Sequence, residues 1–151
     1  MAWLGTIGYE GYGHSEWMST LAENEVEAVV DVRDVPLSRK RGFSKSQLAT
    51  ALESAGIEYL HVRALGNPRS YREALKHGMD FMTFAGQFIS LLDEREDALG
   101  EVLSRAQESR VCLLCFEEDP HRCHRSLVAE RLSSMSEGQI EVVHLRHERA
   151  A

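Results

Sequence analysis

A chain of 151 residues is long enough for one domain with a sizeable core and too short for two, so we expect residues 1–151 to form a single domain. A net charge of −7 argues against a general affinity for nucleic acid or for anionic membranes. Residues 33–76 nevertheless carry nine basic side chains against four acidic ones, which allows a local basic surface on an acidic protein.

The sequence also bears on the cellular compartment. No apolar run approaches the length that spans a membrane, and the first residues lack the basic and apolar segments of a signal peptide. Three cysteines, an odd number, do not form a closed disulfide framework. We therefore expect a cytoplasmic protein with reduced thiols and no membrane partner.

The first third of the chain predicts two strands. One covers residues 3–8 and ends in a turn that contains Gly8 and Tyr9, whose glycine spacing does not match the dinucleotide fingerprint. A helix over 16–24 leads to a second strand over 26–32, which is rich in β-branched residues. The charges at the end of this strand, Asp31, Arg33 and Asp34, form either a structural ion pair or part of a binding site.

A basic loop over residues 36–44 comes next. Its arginines offer forked hydrogen bonds and its lysine a point charge, a combination that suits phosphate, although adjacent cations also occur on ordinary solvated surfaces. A helix ending near Ala55 and a third strand over 57–62 follow, and the irregular segment 64–72 adds Arg72.

The second half predicts the rest of the sheet. A helix over 78–92 carries an aromatic stripe typical of a core, and a helix over 98–108 precedes the continuous apolar run 111–116, typical of a strand covered on both faces. Asp119-Pro120 is a helix-start signal, and 139–145 alternates as an edge strand does. This order predicts an α/β fold, a three-layer α/β/α sandwich with a mostly parallel five-stranded sheet, Rossmann-like in type.

The ends of the first four strands should meet at one edge of the sheet, where ligands bind in open α/β folds. The candidate catalytic residues there are Asp31 and Glu117, as general acids or bases, and the thiols Cys115 and Cys123. The candidate ligand-binding residues are Gly8, Tyr9, Arg33, Arg39, Lys40, Arg41, Phe43, Arg72, Arg122, His124 and Arg125.

The cysteines leave several alternatives open. Cys123, in the first turn of a predicted helix beside His124, is either a reactive thiol or a small apolar residue of the core. Together with Cys115, either His121 or His124, and Glu117 or Asp31, it offers ligands for zinc or iron, but the spacing lacks paired C-x2-C knuckles. No cofactor is therefore predicted, with a divalent metal ion as the alternative and a Cys115–Cys123 disulfide as a third.

Several motifs together resemble one family. They are Thr6-Ile7-Gly8, Asp31-Val32-Arg33, Leu65-Gly66-Asn67-Pro68 and Cys115-x-Glu117-x-x-Pro120-x-x-Cys123-His124-Arg125. At these positions the chain resembles the domain of unknown function 488 family, and the basic loop after Tyr9-Glu10-Gly11 is similar to one branch of it. The resemblance covers nearly the whole chain and implies an α/β fold with a shared polar site, without an established activity.

Acids beside arginines suit a ligand that has both a phosphate and a polar base or sugar. We therefore expect a protein that acts on or binds a nucleotide, a nucleic acid or another phosphorylated compound. One alternative is a thiol-dependent enzyme, loosely similar to rhodaneses and cysteine phosphatases, that uses Cys115 or Cys123, although its loop is acidic and has no glycine. The other alternative is a non-catalytic module that docks nucleic acid through the basic loop.

Overall fold

The structure, a computed structural model, describes residues 1–147. Its strands are β1 (Ala2–Gly8), β2 (Ala28–Asp31), β3 (Glu58–His61), β4 (Val111–Cys115) and β5 (Ile140–Leu145). Its helices are α1 (His14–Glu23), α2 (Lys45–Ser54), α3 (Arg69–Lys76), α4 (Phe81–Leu92), α5 (Glu96–Glu108) and α6 (His124–Met135). Two short 3-10 turns, Arg63–Leu65 and Pro120–Arg122, lie in the connections.

The five strands form one sheet in the order β3-β2-β4-β1-β5, and every neighbouring pair is parallel. The central strand β4 is buried along its whole length, as its continuous apolar sequence predicts. Helices α1 and α2 pack on one face of the sheet, and α4, α5 and α6 pack on the other with α3 at the margin. The predicted three-layer Rossmann-like fold is confirmed, with an entirely parallel sheet.

Two helical predictions need correction. Asp119-Pro120 does not start α6: the Asp119 carboxylate accepts a hydrogen bond from the backbone N–H of His121 and caps the 3-10 turn instead. The extended backbone of Cys123 then separates this turn from α6, so Cys123 is the residue before the helix rather than part of its first turn. The segment predicted to be irregular, residues 64–72, overlaps the first half of α3, which the sequence analysis did not predict. This helix has no fully buried residue, and only Tyr71 and Leu75, one turn apart, pack against the core.

Strand order creates a crevice in the sheet. After β2 the chain continues outward to β3, whereas after β4 it crosses β1 to reach β5 on the opposite side. Neighbouring strands whose connections leave in opposite directions open a gap at their carboxyl ends, which is where open α/β sheets bind ligands. The crevice between β2 and β4 therefore positions the candidate site. None of the helices within residues 1–147 is long and apolar enough to cross a membrane.

Candidate functional site

A pocket of about 350 Å³ opens above the carboxyl ends of β2 and β4. Its lining contains many of the predicted site residues, namely Tyr9, Arg33, Arg39, Arg72, Cys115, Glu117 and His124. It also contains Asp34, one of the charges considered for a binding site, and residues that were not candidates for the site, namely Val35, Leu37, Ser38, Asn67 and Phe116. The chain thus brings groups from β1, β2, β4, the basic loop, α3 and α6 around one cavity.

One wall of the pocket is fixed by a buried ion pair between Asp31 and Arg33. The Arg33 guanidinium donates to both carboxylate oxygens of Asp31, at 2.9 and 2.7 Å, and also to the Phe43 carbonyl and the Tyr9 hydroxyl. The Tyr59 hydroxyl donates a further hydrogen bond to Asp31 at 2.5 Å. Asp31 is fully buried and does not line the pocket. Its role in the wall is to fix the position of Arg33, which does line the pocket.

This network also shifts the ionisation of its members. Burial alone would lower the pKa of Arg33, but the hydrogen bonds and negative charge of Asp31 raise it above its ordinary value. Burial and the hydrogen bond to Asp31 raise the pKa of the Tyr59 hydroxyl. Both groups therefore keep their protons at any physiological pH, which fits a structural network better than a proton-transfer site.

The cations of the basic loop separate into three environments. Lys40 donates to the Tyr9 carbonyl at 2.8 Å and so anchors the loop to the end of β1. Arg41 is exposed outside the pocket, and Phe43 is fully buried against the ring of Tyr9. Of the three cations, only Arg39 lines the pocket, and it has no hydrogen bond or ion pair to any residue in the described part of the chain.

A second cationic group lies across the pocket mouth. Asp34 is shared by Arg63 and Arg72, each 3.3 Å from one of its carboxylate oxygens. Two guanidinium groups against one carboxylate leave a net positive charge, and Arg72 faces the pocket. The arginines of the loop and of α3 therefore make this part of the pocket lining positively charged.

The rest of the pocket lining includes apolar side chains and a buried amide. Leu37 and Phe116 are 70% and 44% exposed, and both line the pocket together with Val35. Phe116 was predicted to close the buried strand, but β4 ends one residue earlier and leaves the ring open to the cavity. The Asn67 side-chain oxygen is buried in the pocket lining without a hydrogen-bond partner among residues 1–147, a costly arrangement that a ligand donor would relieve.

A thiol–imidazole cluster forms the floor of the pocket. The sulfurs of Cys115 and Cys123 each lie 3.7 Å from Nδ1 of His124, whose Nε2 donates to the Val32 carbonyl at 2.6 Å. The Cys115 thiol donates to the Glu117 carboxylate at 3.1 Å. Burial raises the pKa of the Cys123 thiol well above its usual range. All three cysteines of the chain are free and buried, and Cys112 packs in the core on the opposite face of the sheet.

The acidic loop after β4 is held rigidly over the end of β1. Arg125, fully buried, donates to the Glu117 and Glu118 carbonyls. This brings the Glu117 carbonyl so close to Gly8 that a Cβ there would lie 1.8 Å from its oxygen. Gly8 and Arg125 thus position the loop from below and do not line the pocket.

Two predicted residues lie elsewhere. Arg122 is exposed in a neighbouring groove with Glu10, Glu118 and Asp119, where it faces acids rather than a phosphate-sized basic pocket. His121 is exposed too, and its ring contacts that of His144 rather than the cysteines. Of the two histidines considered as metal ligands, only His124 therefore belongs to the thiol cluster.

Fold and site together define a Rossmann-like α/β protein with a polar pocket at the carboxyl edge of a parallel sheet. The family described as domain of unknown function DUF488 matches residues 15–132, most of the chain, so the protein belongs to this family. No curated protein and no solved structure gives a significant match. The family description carries no activity, so the function has to be argued from the pocket itself.

Proposed function

We propose that the protein binds, and acts on, a phosphorylated small molecule of the nucleotide class in the pocket between β2 and β4. The observation that carries the proposal is Arg39, a pocket-lining guanidinium without a partner among the described residues. Arg39 and Arg72 would hold the phosphate by charge-assisted hydrogen bonds. Glu117 and the apolar side chains Leu37 and Phe116 line the same pocket, so a bare inorganic phosphate is a less suitable ligand than a nucleotide.

Other residues of the pocket lining suit a planar polar group such as a base. The exposed ring of Phe116 offers a stacking surface, and the Asn67 oxygen offers an acceptor for an N–H or O–H of the ligand. Glu117, half-buried on the same loop as Phe116, is the acid or base that would exchange a proton with the ligand. A volume of about 350 Å³ lies in the range of small-molecule sites.

Arg39→Ala tests this proposal against a matched control in the same loop. Isothermal titration calorimetry with a panel of nucleoside mono- and diphosphates should show binding to the wild type. Arg39→Ala should weaken this affinity by roughly 10- to 100-fold, the effect of one lost charge-assisted hydrogen bond. Arg41→Ala removes an equally exposed cation outside the pocket and should change the affinity by less than about 2-fold.

Two results would contradict the proposal. One is the absence of binding to every nucleotide of the panel, and the other is an equal loss in the two arginine variants. Binding only to single-stranded oligonucleotides, with a steep dependence on salt, would favour the non-catalytic nucleic-acid module instead.

A thiol-dependent reaction is the second candidate, because Cys115 lines the pocket and lies 3.7 Å from an imidazole nitrogen. The Glu117 carboxylate opposes this reading, since the Cys115 thiol donates its hydrogen bond to that carboxylate at 3.1 Å and is buried. We expect Cys115 to react with iodoacetamide at pH 7 no faster than a free cysteine, as followed by mass spectrometry of the folded protein. Rapid alkylation of Cys115 that abolishes turnover would favour the thiol enzyme.

A further inference from the structure

The thiol cluster has a geometry that thiol–imidazole hydrogen bonding does not explain. The ligating atoms of Cys115, Cys123 and His124 all lie within 4.8 Å of one another, and all three residues are buried. Both sulfurs are 3.7 Å from the same nitrogen, Nδ1 of His124. A neutral imidazole nitrogen has one lone pair, and the Cys115 thiol donates to the Glu117 carboxylate, so hydrogen bonding to Nδ1 accounts for the position of the Cys123 sulfur but not for that of Cys115.

We propose that Cys115, Cys123 and His124 bind a zinc ion or a similar soft divalent metal. In a tetrahedral zinc site, with Zn–S of about 2.3 Å and Zn–N of about 2.0 Å, a sulfur and a nitrogen ligand are about 3.6 Å apart. The two 3.7 Å separations in this cluster are close to that distance. This site goes beyond the proposed nucleotide ligand and does not depend on it.

The hydrogen bond made by His124 Nε2 is the one that a metal-binding histidine typically makes. A carbonyl only accepts hydrogen bonds, so the contact of His124 Nε2 with the Val32 carbonyl at 2.6 Å places the proton on Nε2. In the neutral ring Nδ1 is then unprotonated and faces both sulfurs. Metal-binding histidines typically donate their other ring N–H to a carbonyl or carboxylate in this way, which fixes both the tautomer and the ring orientation.

The charge of the filled site suits its burial. A divalent cation with two thiolates and one neutral imidazole has a net charge of zero, so the ion and its buried ligands leave no unpaired charge in the interior. The neighbouring Glu117 carboxylate, 3.1 Å from the Cys115 sulfur, is only half-buried. Soft thiolates together with an imidazole select zinc, and also iron or copper, over magnesium or calcium. On binding, each thiol gives up its proton to solvent and its sulfur lone pair to the metal, with no change of oxidation state.

The site would also be open on one side. Cys115 and His124 line the pocket, whereas Cys123 lies behind them. Three protein ligands and one position open to a cavity are the pattern of catalytic zinc sites, as opposed to closed structural ones. The metal would thus face any molecule held in the pocket.

The test is cobalt and zinc binding by the full-length protein after treatment with a chelator. We expect one Co²⁺ per chain with the intense thiolate-to-cobalt absorption and the visible bands of a tetrahedral ion, displaced by one Zn²⁺. Cys123→Ala should weaken zinc binding by at least about 100-fold, because even changes outside the ligand set cost roughly 10- to 100-fold. Cys112→Ala, a buried cysteine of the same strand as Cys115 but on the other face, should retain the wild-type affinity.

Three results would overturn the metal site: no cobalt bound by the wild type, a cobalt spectrum without thiolate absorption, or equal zinc binding by Cys123→Ala and Cys112→Ala. The wild-type spectrum reports the ligands directly, so the test holds even where a cysteine variant folds poorly. Arg39→Ala should bind zinc as the wild type does. Failure of the nucleotide proposal and failure of the metal site are therefore separate outcomes.

Discussion

Arg33→Ala is expected to lower the free energy of unfolding by about 3–5 kcal/mol, because it leaves Asp31 as an uncompensated charge in the interior. Asp31 is fully buried and Arg33 is only 6% exposed. The substitution removes every hydrogen bond from the guanidinium and leaves the carboxylate with Tyr59 and the backbone N–H of residue 33. Urea denaturation followed by circular dichroism measures the change as a shift of the midpoint at constant slope.

The control for this prediction is the exposed ion pair at the pocket mouth. Arg72→Ala breaks the contact with Asp34, but Arg72 is 46% exposed, so the expected loss is below about 1 kcal/mol. The double variant Asp31→Asn with Arg33→Met should recover part of the stability lost in Arg33→Ala, since no charge is then buried without a partner. Similar small losses in Arg33→Ala and Arg72→Ala would show that the buried pair contributes no more than a surface one.

The sequence left both roles of Asp31 and Arg33 open, and the reason is physical. Residues two apart in an extended strand share a face, so the pairing itself could be anticipated. Whether the pair faced a ligand or the core depended on Tyr59 and Phe43. Tyr59 and Phe43 belong to other segments of the chain, and no local sequence pattern predicts that those segments pack against this pair.

The convergence of the strand ends was predictable for a different reason. Apolar runs separated by helical segments indicate parallel strands, and parallel strands with crossover helices place their carboxyl ends at one edge. Tyr9, Arg33, Arg39, Cys115 and Glu117 indeed line one pocket. The strand order β3-β2-β4-β1-β5, by contrast, follows from how all the layers pack together, and the order of the elements along the chain did not reveal it.

Some site residues carried no usable signal. Asn67 stood out only as part of the motif Leu65-Gly66-Asn67-Pro68, which gave it no role, and its importance rests on a burial that only the tertiary structure shows. Phe116 continued an apolar run and so was predicted as buried strand. The correct start of α6 was hidden because Asp119-Pro120 is an equally good cap for a 3-10 turn. Local signals thus identified an element boundary but not which kind of element began there.

Gly8→Ala is the other substitution with a large expected effect. A Cβ on residue 8 would lie 1.8 Å from the Glu117 carbonyl oxygen and 2.5 Å from its carbon, so backbone has to move. Arg125 holds that carbonyl from α6, and Gly8 pairs with Cys115 in the sheet, so neither side of the contact is free to yield. We expect a loss of about 3 kcal/mol in the free energy of unfolding, at the upper end for overpacking.

Gly100→Ala provides the matched control, because its added Cβ meets no atom within 4 Å in the middle of α5. It should raise stability by about 0.5–1 kcal/mol through helix propensity alone, so the two glycine variants are predicted to differ in sign. Gly8→Ala should further weaken nucleotide binding, because the displaced loop carries Glu117 and Phe116 into a different position. A Gly8→Ala protein as stable as the wild type would mean that the loop is not locked over β1, and the pocket would then lack the rigid edge on which its proposed ligand depends.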